Sequence, residues 1–521
     1  MHIMKKDSLW FLIAALMIMS LLTVPNWVGT HMQNDQLAYR GMYADLTDYS
    51  VYLSMMRSGE MGAWMYTMRF TNEALPPAFV RMFYVLLGHI SGWTGLSVVA
   101  VYEIARWLFG IAALYAIYIL CNSIFQKKNL ARAAFLLISL GSGVGWLQLM
   151  VGVPLKPISP IDFWLIDAYV FFSTSLFPAF SYSLITMAFA LKLFLDYFCK
   201  PKWNLIAAIC ALAVTCQITN PIAFVVVDLA FVGAVSFNWL QNKKLERHHI
   251  LALFVIALAQ IPLLVYNFSI LVNNPLWNVY TAQNQTLSPP PSFYFWGFLP
   301  FWFFALPGIL SAAKRRDIVS GALVIWVVSA FALAYSPVAI QRRFLLGVTI
   351  PLGILAVIGF EEISNWAKLS GRKNLLLTAY VSVASISTLY FLLGSSLNLM
   401  SLPANHFYPR ELQQALTWLN QHARPNDLVL SSKPTGELIA QYTHLRVYLG
   451  HEIETLYFER KTDEVTRFFN NQMDAGWAEN TSADWVFYGP YEKELSGDFS
   501  FAPGEVAYKS KNITIYEIKH K

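Results

Sequence analysis

The sequence has few charged residues and few cysteines. Asp, Glu, Lys and Arg make up 13% of its 521 residues, whereas 56% are hydrophobic. Soluble globular domains contain about 25% charged residues, so this class of protein is excluded. The four cysteines indicate neither a disulfide framework nor a thiolate metal site, because all lie in or beside apolar runs. They are Cys121, Cys199, Cys210 and Cys216.

Two further features are absent. The N-terminal stretch has Lys5 and Lys6 before an apolar run but no clear small-residue cleavage site, so we expect a retained first span. The formal net charge of +6 does not indicate a nucleic-acid partner. Lys and Arg concentrate in the short connections between apolar runs, where they set the orientation of a membrane protein.

Long apolar runs recur from Leu9 to Ser395 and then stop. Runs of about 18 residues or more are long enough to cross the hydrocarbon core of a bilayer. They predict a polytopic α-helical membrane protein with about eleven spans. The predicted spans are 9–25, 96–125, 130–151, 171–198, 205–218, 222–240, 250–272, 293–311, 318–335, 344–360 and 375–395.

The basic connections predict the orientation. Alternate threading puts all of them on one side, which is the cytoplasm by the positive-inside rule. We therefore expect a multi-pass protein of the plasma (inner) membrane with a cytoplasmic N-terminus. Loops 26–78, 152–170 and 273–292 then lie outside. The basic residues are Lys5, Lys6, Lys127, Lys128, Arg132, Lys200, Lys202, Lys243, Lys244, Arg247, Lys314, Arg315, Arg316, Lys368, Arg372 and Lys373.

The chain divides at residue 395. Residues 1–395 are predicted to form the transmembrane domain with its long first external loop, and residues 396–521 a soluble extracytoplasmic domain. In the second part helical and strand patterns alternate, which favours a small α/β domain. Predicted helices are 411–420, 436–442 and 462–470; predicted strands are 427–432, 446–449, 485–488, 506–509 and 513–518.

The first external loop contains the strongest candidates for chemistry. Asp45 and Asp48 precede a segment of helical spacing, 48–57, with Tyr49 and Tyr52 along one face. A carboxylate at the start of this helix, partly desolvated at the membrane surface, is suited to proton transfer. The alternatives are solvated loop acids or, for Asp48, a helix N-cap.

These residues resemble the GT-C superfamily of membrane glycosyltransferases. One N-terminal span, a long acidic first external loop, many further spans and an external C-terminal domain reproduce its layout over the whole chain. The motifs cover few residues, and the similarity is greatest to a bacterial group. The motifs that carry the resemblance are Asp48-Tyr49-x-x-Tyr52-Leu53, Gly62-x-Trp64-x-Tyr66 and Gly450-His451-Glu452-x-Glu454-Thr455.

The resemblance implies a sugar transferred from a polyprenyl-phosphate carrier, with an acid of the first external loop as catalytic base or acceptor orienter. The adjacent acidic pair often found there is absent, because Leu46 and Thr47 separate Asp45 from Asp48. Asp48 is favoured because the tyrosine-containing helix follows it, and Asp45 is second. Glu73 in the same loop is another candidate.

Besides Tyr49, Tyr52 and Glu73 of the first loop, two further groups are candidates for substrate binding. Asp167, in the next external loop, is a second carboxylate for the acceptor hydroxyl or a metal, the alternative being an aromatic interfacial belt with acids facing water. Arg342 and Arg343 lie at the external end of the tenth predicted span, where the positive-inside rule does not place a basic pair. Guanidinium groups there are suited to the carrier phosphate; snorkelling to lipid headgroups is the alternative.

The sequence therefore predicts an inverting glycosyltransferase of the cell envelope. Its partners would be a polyprenyl-phosphate-linked sugar, membrane lipids and a glycan, lipid or protein acceptor. The sequence requires no cofactor, and it leaves open whether a divalent metal takes part. A transporter or flippase of lipid-linked glycans is one alternative, although no inverted repeat supports it. A non-catalytic envelope assembly protein is the other.

Overall fold

The computed structural model of the chain describes residues 2–152, 159–315, 317–368, 371–496 and 501–519. The side chains of residues 2–6 and of Ser496 are also outside the description. Predicted features at Lys5, Lys6, Arg316 and part of the second external loop, 153–158, therefore lie outside the described residues.

The described part of the chain is mainly helical. Its α-helices are α1 (His2–Met32), α2 (Leu46–Glu60), α3 (Met82–Thr94), α4 (Val98–Ile124), α5 (Lys128–Leu140), α6 (Gly145–Met150), α7 (Val170–Leu176), α8 (Pro178–Cys199), α9 (Trp203–Thr219), α10 (Val225–Asn242), α11 (Arg247–Asn273), α12 (Pro275–Gln283), α13 (Pro291–Gly297), α14 (Leu299–Arg315), α15 (Ile318–Leu333), α16 (Thr349–Trp366), α17 (Lys373–Ala384), α18 (Ile386–Met400), α19 (Arg410–His422), α20 (Lys433–Tyr442), α21 (Phe458–Phe469), α22 (Ala475–Asn480) and α23 (Pro490–Ser496). Short 3₁₀ helices cover Ile161–Phe163, Ile166–Ala168 and Gln341–Leu345.

The β-strands of the described residues are short. They are β1 (Leu37–Tyr39), β2 (Phe407–Pro409), β3 (Leu428–Leu430), β4 (Arg446–Val447), β5 (Trp485–Tyr488), β6 (Glu505–Lys509) and β7 (Thr514–Glu517).

The chain forms two compact units. Unit 1 comprises Met1–Val24, Ile104–Tyr266 and Gln285–Ser395, and unit 2 comprises Pro25–Glu103, Asn267–Asn284 and Ser396–Lys521. The first external loop and the last quarter of the chain thus belong to the same unit.

Six helical segments of the described residues are long and apolar enough to cross a membrane. They are Asp7–Met32, Val98–Ile124, Pro178–Cys199, Val225–Asn242, Arg247–Asn273 and Lys373–Met400. A seventh is possible from α13 and α14, which meet at an angle of 91°. The shorter helices α9 and α15 are also apolar. The count of eleven spans stays a prediction.

Several predicted spans differ from the structure in detail. The first helix continues through Pro25 to Met32. The predicted span 130–151 is interrupted after Leu140, where α5 ends and the backbone of the following Gly141 is extended. The predicted span 344–360 is helical only from Thr349. Uniform apolar composition does not reveal such breaks, because they depend on the neighbouring packing.

The described residues of unit 2 form two sheets. In the larger, the strand order is β4-β3-β5-β7-β6; β3 pairs in parallel with β4 and β5, and β7 pairs antiparallel with β5 and β6. Each helix and strand predicted after residue 395 has a counterpart in the structure. In the smaller sheet β1 pairs antiparallel with β2, so that Leu37 lies opposite Pro409.

Helix α2, which begins beside Asp45 and carries Asp48, packs closely against α3. A Cβ atom on Gly59 would lie 2.0 Å from the carbonyl oxygen of Val85, and one on Gly88 would lie 2.0 Å from that of Met56. The two backbones approach this closely only because both positions are glycine. This contact fixes the position of the helix on which the candidate acids lie.

Candidate active site

Asp45 is the residue immediately before α2. Its backbone is left-handed (φ 49°, ψ 55°), a conformation that Asp tolerates better than most residues, and its side chain does not cap the helix. Its carbonyl oxygen accepts a hydrogen bond from the N–H of Tyr49 at 3.1 Å. The hydroxyl of Thr47 donates to Oδ1 of Asp45 at 3.3 Å. The N-cap considered for Asp48 is therefore wrong, because Asp48 lies within the first turn.

Each carboxylate oxygen of Asp48 lies next to a donor group of another side chain. Nε2 of His451 lies 3.4 Å from Oδ1, and the hydroxyl of Tyr52 donates to Oδ2 at 3.2 Å. The carboxylate retains 31% exposure, whereas the His451 side chain is 4% exposed. The side chain of Asp48 is thus held by His451 and Tyr52 and is still partly exposed.

The tautomer of His451 follows from its other ring nitrogen. Nδ1 accepts the backbone N–H groups of Ile453 at 3.1 Å and Glu454 at 3.3 Å. A nitrogen that accepts carries no proton in neutral imidazole, so the proton is on Nε2 and points to Asp48.

In the sequence, His451 is singled out only by the tail motif that it shares with Glu452 and Glu454. No group of three or more His, Cys, Asp or Glu side chains in the described residues is placed to hold a metal ion. The tail motif was the signal that singled out His451, but nothing in the sequence linked it to Asp48.

Glu454 lies buried next to the histidine. Its carboxylate accepts from Nη1 of Arg81 at 2.6 Å and from the hydroxyl of Tyr66 at 2.6 Å. The guanidinium of Arg81 also donates to the hydroxyl of Tyr280 and lies over its ring. The buried charge is therefore paired and hydrogen-bonded, as burial requires.

The two aspartates differ in their electrostatics. Burial, and then the negative charge of Asp48, raise the pKa of Asp45 from 3.8 to about 7. Burial alone would lower the pKa of His451, but the hydrogen bond to Asp48 and the charges of Asp48 and Glu454 raise it. Near neutral pH, Asp45 is thus a group that exchanges a proton easily.

The other predicted residues of the first loop have structural contacts. Tyr52 stacks on Tyr84 with ring centroids 4.2 Å apart, and the buried Tyr49 contacts Tyr102 edge-on at 5.1 Å. Glu73 forms an ion pair with the buried Lys461, with 2.6 Å between Oε2 and Nζ. The structure therefore brings Asp45, Asp48, Tyr49 and Tyr52 together at the start of α2, and places Glu73 in a separate ion pair.

The predicted substrate-binding residues of unit 1 lie in two 3₁₀ helices. Asp167 is in Ile166–Ala168, and its carbonyl oxygen accepts the N–H of Gly347 at 3.4 Å. Arg342 and Arg343 are in Gln341–Leu345. The Arg342 guanidinium lies over the ring of Trp164, 4.9 Å from its centroid.

An apolar groove begins close to the segment that carries Arg342. Its volume is about 370 Å³. The Gln341 side chain accepts the N–H of Ser288 at 3.1 Å, and the Ser288 hydroxyl accepts from Tyr294, which lines the groove. The lining residues are Pro291, Tyr294, Phe295, Trp302, Leu306, Phe331 and Tyr335. Arginine beside an aromatic groove suits an amphipathic ligand with an anionic head.

The fold is similar to those of solved membrane glycosyltransferases, so the resemblance to GT-C enzymes predicted from the sequence is confirmed at the level of the fold. The chain is similar to ArnT from Cupriavidus metallidurans, with 13% identity, a TM-score of 0.54, and 98% of this chain and 97% of that chain covered. It is also similar to the archaeal oligosaccharyltransferase AglB from Archaeoglobus fulgidus, with 15% identity, a TM-score of 0.51, and coverages of 94% and 70%.

A third similar structure is the arabinofuranosyltransferase AftD from Mycobacteria, with 11% identity and a TM-score of 0.54. There 98% of this chain matches 40% of the longer protein. One ArnT structure is bound to undecaprenyl phosphate, and the AglB structure contains a dolichol-phosphate and an inhibitory peptide. No model of a known protein family matches the sequence, and no curated protein matches it.

Proposed function

We propose that the protein transfers a sugar, with inversion, from a polyprenyl-phosphate carrier to an extracytoplasmic acceptor. The observation that carries the proposal is the pair Asp45 and Asp48 at the start of α2, where one carboxylate is fixed and accessible and the other has a pKa of about 7. The shared fold with polyprenyl-phosphate-dependent transferases supports it.

The two acids have different proposed roles. Inversion requires a base that takes the proton of the acceptor hydroxyl while the carrier phosphate leaves on the opposite face of the sugar. Asp48, with two donors on its carboxylate, orients the hydroxyl as a hydrogen-bond acceptor. Asp45 receives the proton, because a pKa near the working pH suits a general base. The sequence argument had favoured Asp48 for the proton itself.

The residues of unit 1 support a lipid-linked donor. Arg342 and Arg343 would hold the carrier phosphate, since a guanidinium donates two parallel hydrogen bonds to phosphate oxygens. The aromatic groove near Gln341 would take the first isoprene units. Asp167 and Tyr49 remain proposed contributors to substrate binding.

The proposed topology has eleven spans, a cytoplasmic N-terminus and residues 396–521 as an α/β domain outside the inner membrane. Reporter fusions at Lys244 and after Lys521 test it, with a cytoplasmic signal from the first and an external signal from the second. The same signal at both sites would contradict the topology.

Turnover of labelled polyprenyl-phosphate sugars tests the function. The purified protein in detergent is incubated with a donor panel and an envelope fraction as acceptor. Release of the carrier phosphate together with labelled acceptor is expected, and the double variant Asp45→Asn, Asp48→Asn should release neither. Movement of intact donor across proteoliposomes without bond cleavage would favour the transporter. No turnover or movement with any donor would favour the assembly protein.

A further inference from the structure

Residues 450–455 form a closed turn, which we call the histidine loop. The N–H of Thr455 donates to the carbonyl of His451 at 2.8 Å, and the N–H of Gly450 donates to the Thr455 hydroxyl at 3.0 Å. The side chain of Gln283, the last residue of α12, donates to the carbonyl of Thr455 at 2.9 Å. The turn is thus held by its own hydrogen bonds and by a neighbouring helix.

The imidazole of His451 has little freedom within this turn. Its ring packs edge-on against Phe70, with centroids 6.2 Å apart. A Cβ atom on the preceding Gly450 would lie 2.6 Å from the Phe70 ring, so glycine permits the approach. With Nδ1 accepting two backbone N–H groups, Nε2 is the ring nitrogen next to Asp48, 3.4 Å from its Oδ1.

We propose that His451 is a positioning residue of the transferase, which holds the Asp48 carboxylate in the orientation that receives the acceptor hydroxyl. The inference rests on the proposed function and adds to it a residue from the last quarter of the chain. His451 acts through Asp48 and does not itself contact the substrate.

Two observations distinguish positioning from simple packing. The His451 side chain is buried, whereas the Asp48 side chain is 31% exposed, so a buried imidazole contacts a carboxylate group that solvent can reach. The two donors also occupy different oxygens, since Tyr52 bonds to Oδ2. Two contacts at different oxygens fix the plane of a carboxylate, which a single contact does not.

Replacement of His451 tests the proposal. His451→Ala should lower kcat by about 10 to 100-fold, the usual effect of losing an orienting partner, with the KM for donor unchanged. His451→Gln keeps an N–H donor on the side chain and should recover much of the loss. His444→Gln is the matched control, because Nε2 of His444 bonds to Glu60 at 3.1 Å in the same unit and away from the aspartates; its kcat should be that of the unmodified protein.

The effect must also depend on Asp48. The double variant His451→Ala, Asp48→Asn should be no slower than Asp48→Asn alone, because the histidine has nothing left to orient. Multiplicative losses in the double variant, or an unchanged kcat in a folded His451→Ala protein, would overturn the proposal.

A readout without turnover separates this inference from the proposed function. Nitrogen-15 NMR of histidine-labelled protein, recorded at a pH above the raised pKa of His451 and with His451 assigned from its loss in His451→Gln, should show the neutral Nε2–H tautomer and a shift in Asp48→Asn. A protein that transfers no sugar but shows this coupling would contradict the function and retain the contact. A signal that is insensitive to Asp48→Asn would reject the contact whatever the activity.

Discussion

Arg81 and Glu454 form an ion pair whose carboxylate is buried. Nη1 of Arg81 lies 2.6 Å from Oε1 of Glu454, and the Glu454 side chain is 1% exposed. The pair joins the residue before α3 to the histidine loop, which contains His451. Because Nδ1 of His451 accepts the backbone N–H of Glu454, the position of His451 opposite Asp48 depends on this ion pair.

Removal of the cation should destabilise unit 2. Arg81→Met leaves Glu454 charged and buried, which typically costs about 3 to 5 kcal/mol. Denaturant or thermal unfolding in detergent measures the change. Arg460→Ala is the control, because its guanidinium is 59% exposed and lies 3.8 Å from Glu464; exposed pairs contribute about 0 to 1 kcal/mol. Equal losses in both variants would contradict the structural role of Arg81.

Asp45→Asn should abolish most turnover and preserve the fold. Asn also tolerates the left-handed backbone, so the start of α2 remains intact. Loss of the base should lower kcat by about 10² to 10⁴-fold. Donor binding and kcat are measured on the same preparation. Asp35→Asn, at an exposed acid of the same loop, is the control, and equal activity of the two variants would eliminate Asp45 as the base.

The pH dependence of kcat/KM should report the same group. Because the pKa of Asp45 is about 7, activity should rise with pH through that value as the carboxylate forms. The charge of Asp48 contributes to raising this pKa, so Asp48→Asn should move the acidic limb to lower pH while it lowers the rate. An unmoved limb, or one that moves to higher pH, would contradict the coupling between the two acids.

Stability should change with pH in the opposite sense. The folded protein holds a proton on Asp45 up to about pH 7, whereas the unfolded chain releases it near 3.8. The stabilisation is complete below the lower value and is lost as pH rises through the upper one. The unfolding temperature of the unmodified protein should therefore fall between about pH 4 and about pH 7 relative to that of Asp45→Asn. Parallel pH profiles would show that Asp45 titrates normally.

Arg342→Ala should weaken binding of the carrier phosphate. A charge-assisted hydrogen bond contributes about 1.5 to 3 kcal/mol, and a lysine lacks the planar fork, so Arg342→Lys should recover only part of it. Titration of polyprenyl phosphate into protein in detergent measures the affinity. Lys314→Ala, in a predicted cytoplasmic connection, is the control. Undiminished affinity in the double variant Arg342→Ala, Arg343→Ala would assign both arginines to lipid headgroups.

Local sequence patterns were sufficient to predict many helices and strands of unit 2. Amphipathic spacing predicted α19 and α21, and a short apolar run predicted β3, because these elements each show their periodicity within a few residues. Motifs and layout predicted the similarity of the fold to GT-C enzymes. The bend between α13 and α14 was not predicted, since the apolar run continues through Gly297 and Phe298 without a break.

The contacts that define the site were beyond sequence reasoning. His451 and Asp48 are about 400 residues apart, as are Glu454 and Tyr66, and periodicity carries no information on pairing at that separation. The sequence also does not show how far Asp45 is buried, and the raised pKa of Asp45 depends on that burial. The sequence therefore located the acids but not the difference between them.

The small sheet of β1 and β2 has a consequence for the order in which the protein is made. β1 ends at Tyr39, and its partner strand begins only at Phe407. A ribosome adds about 5 to 20 residues each second, so β1 lacks its partner until nearly four fifths of the chain exist. The histidine loop is synthesised later still. The acids of α2 are thus assembled into their complete site only near the end of translation, and a truncated product would carry them without it.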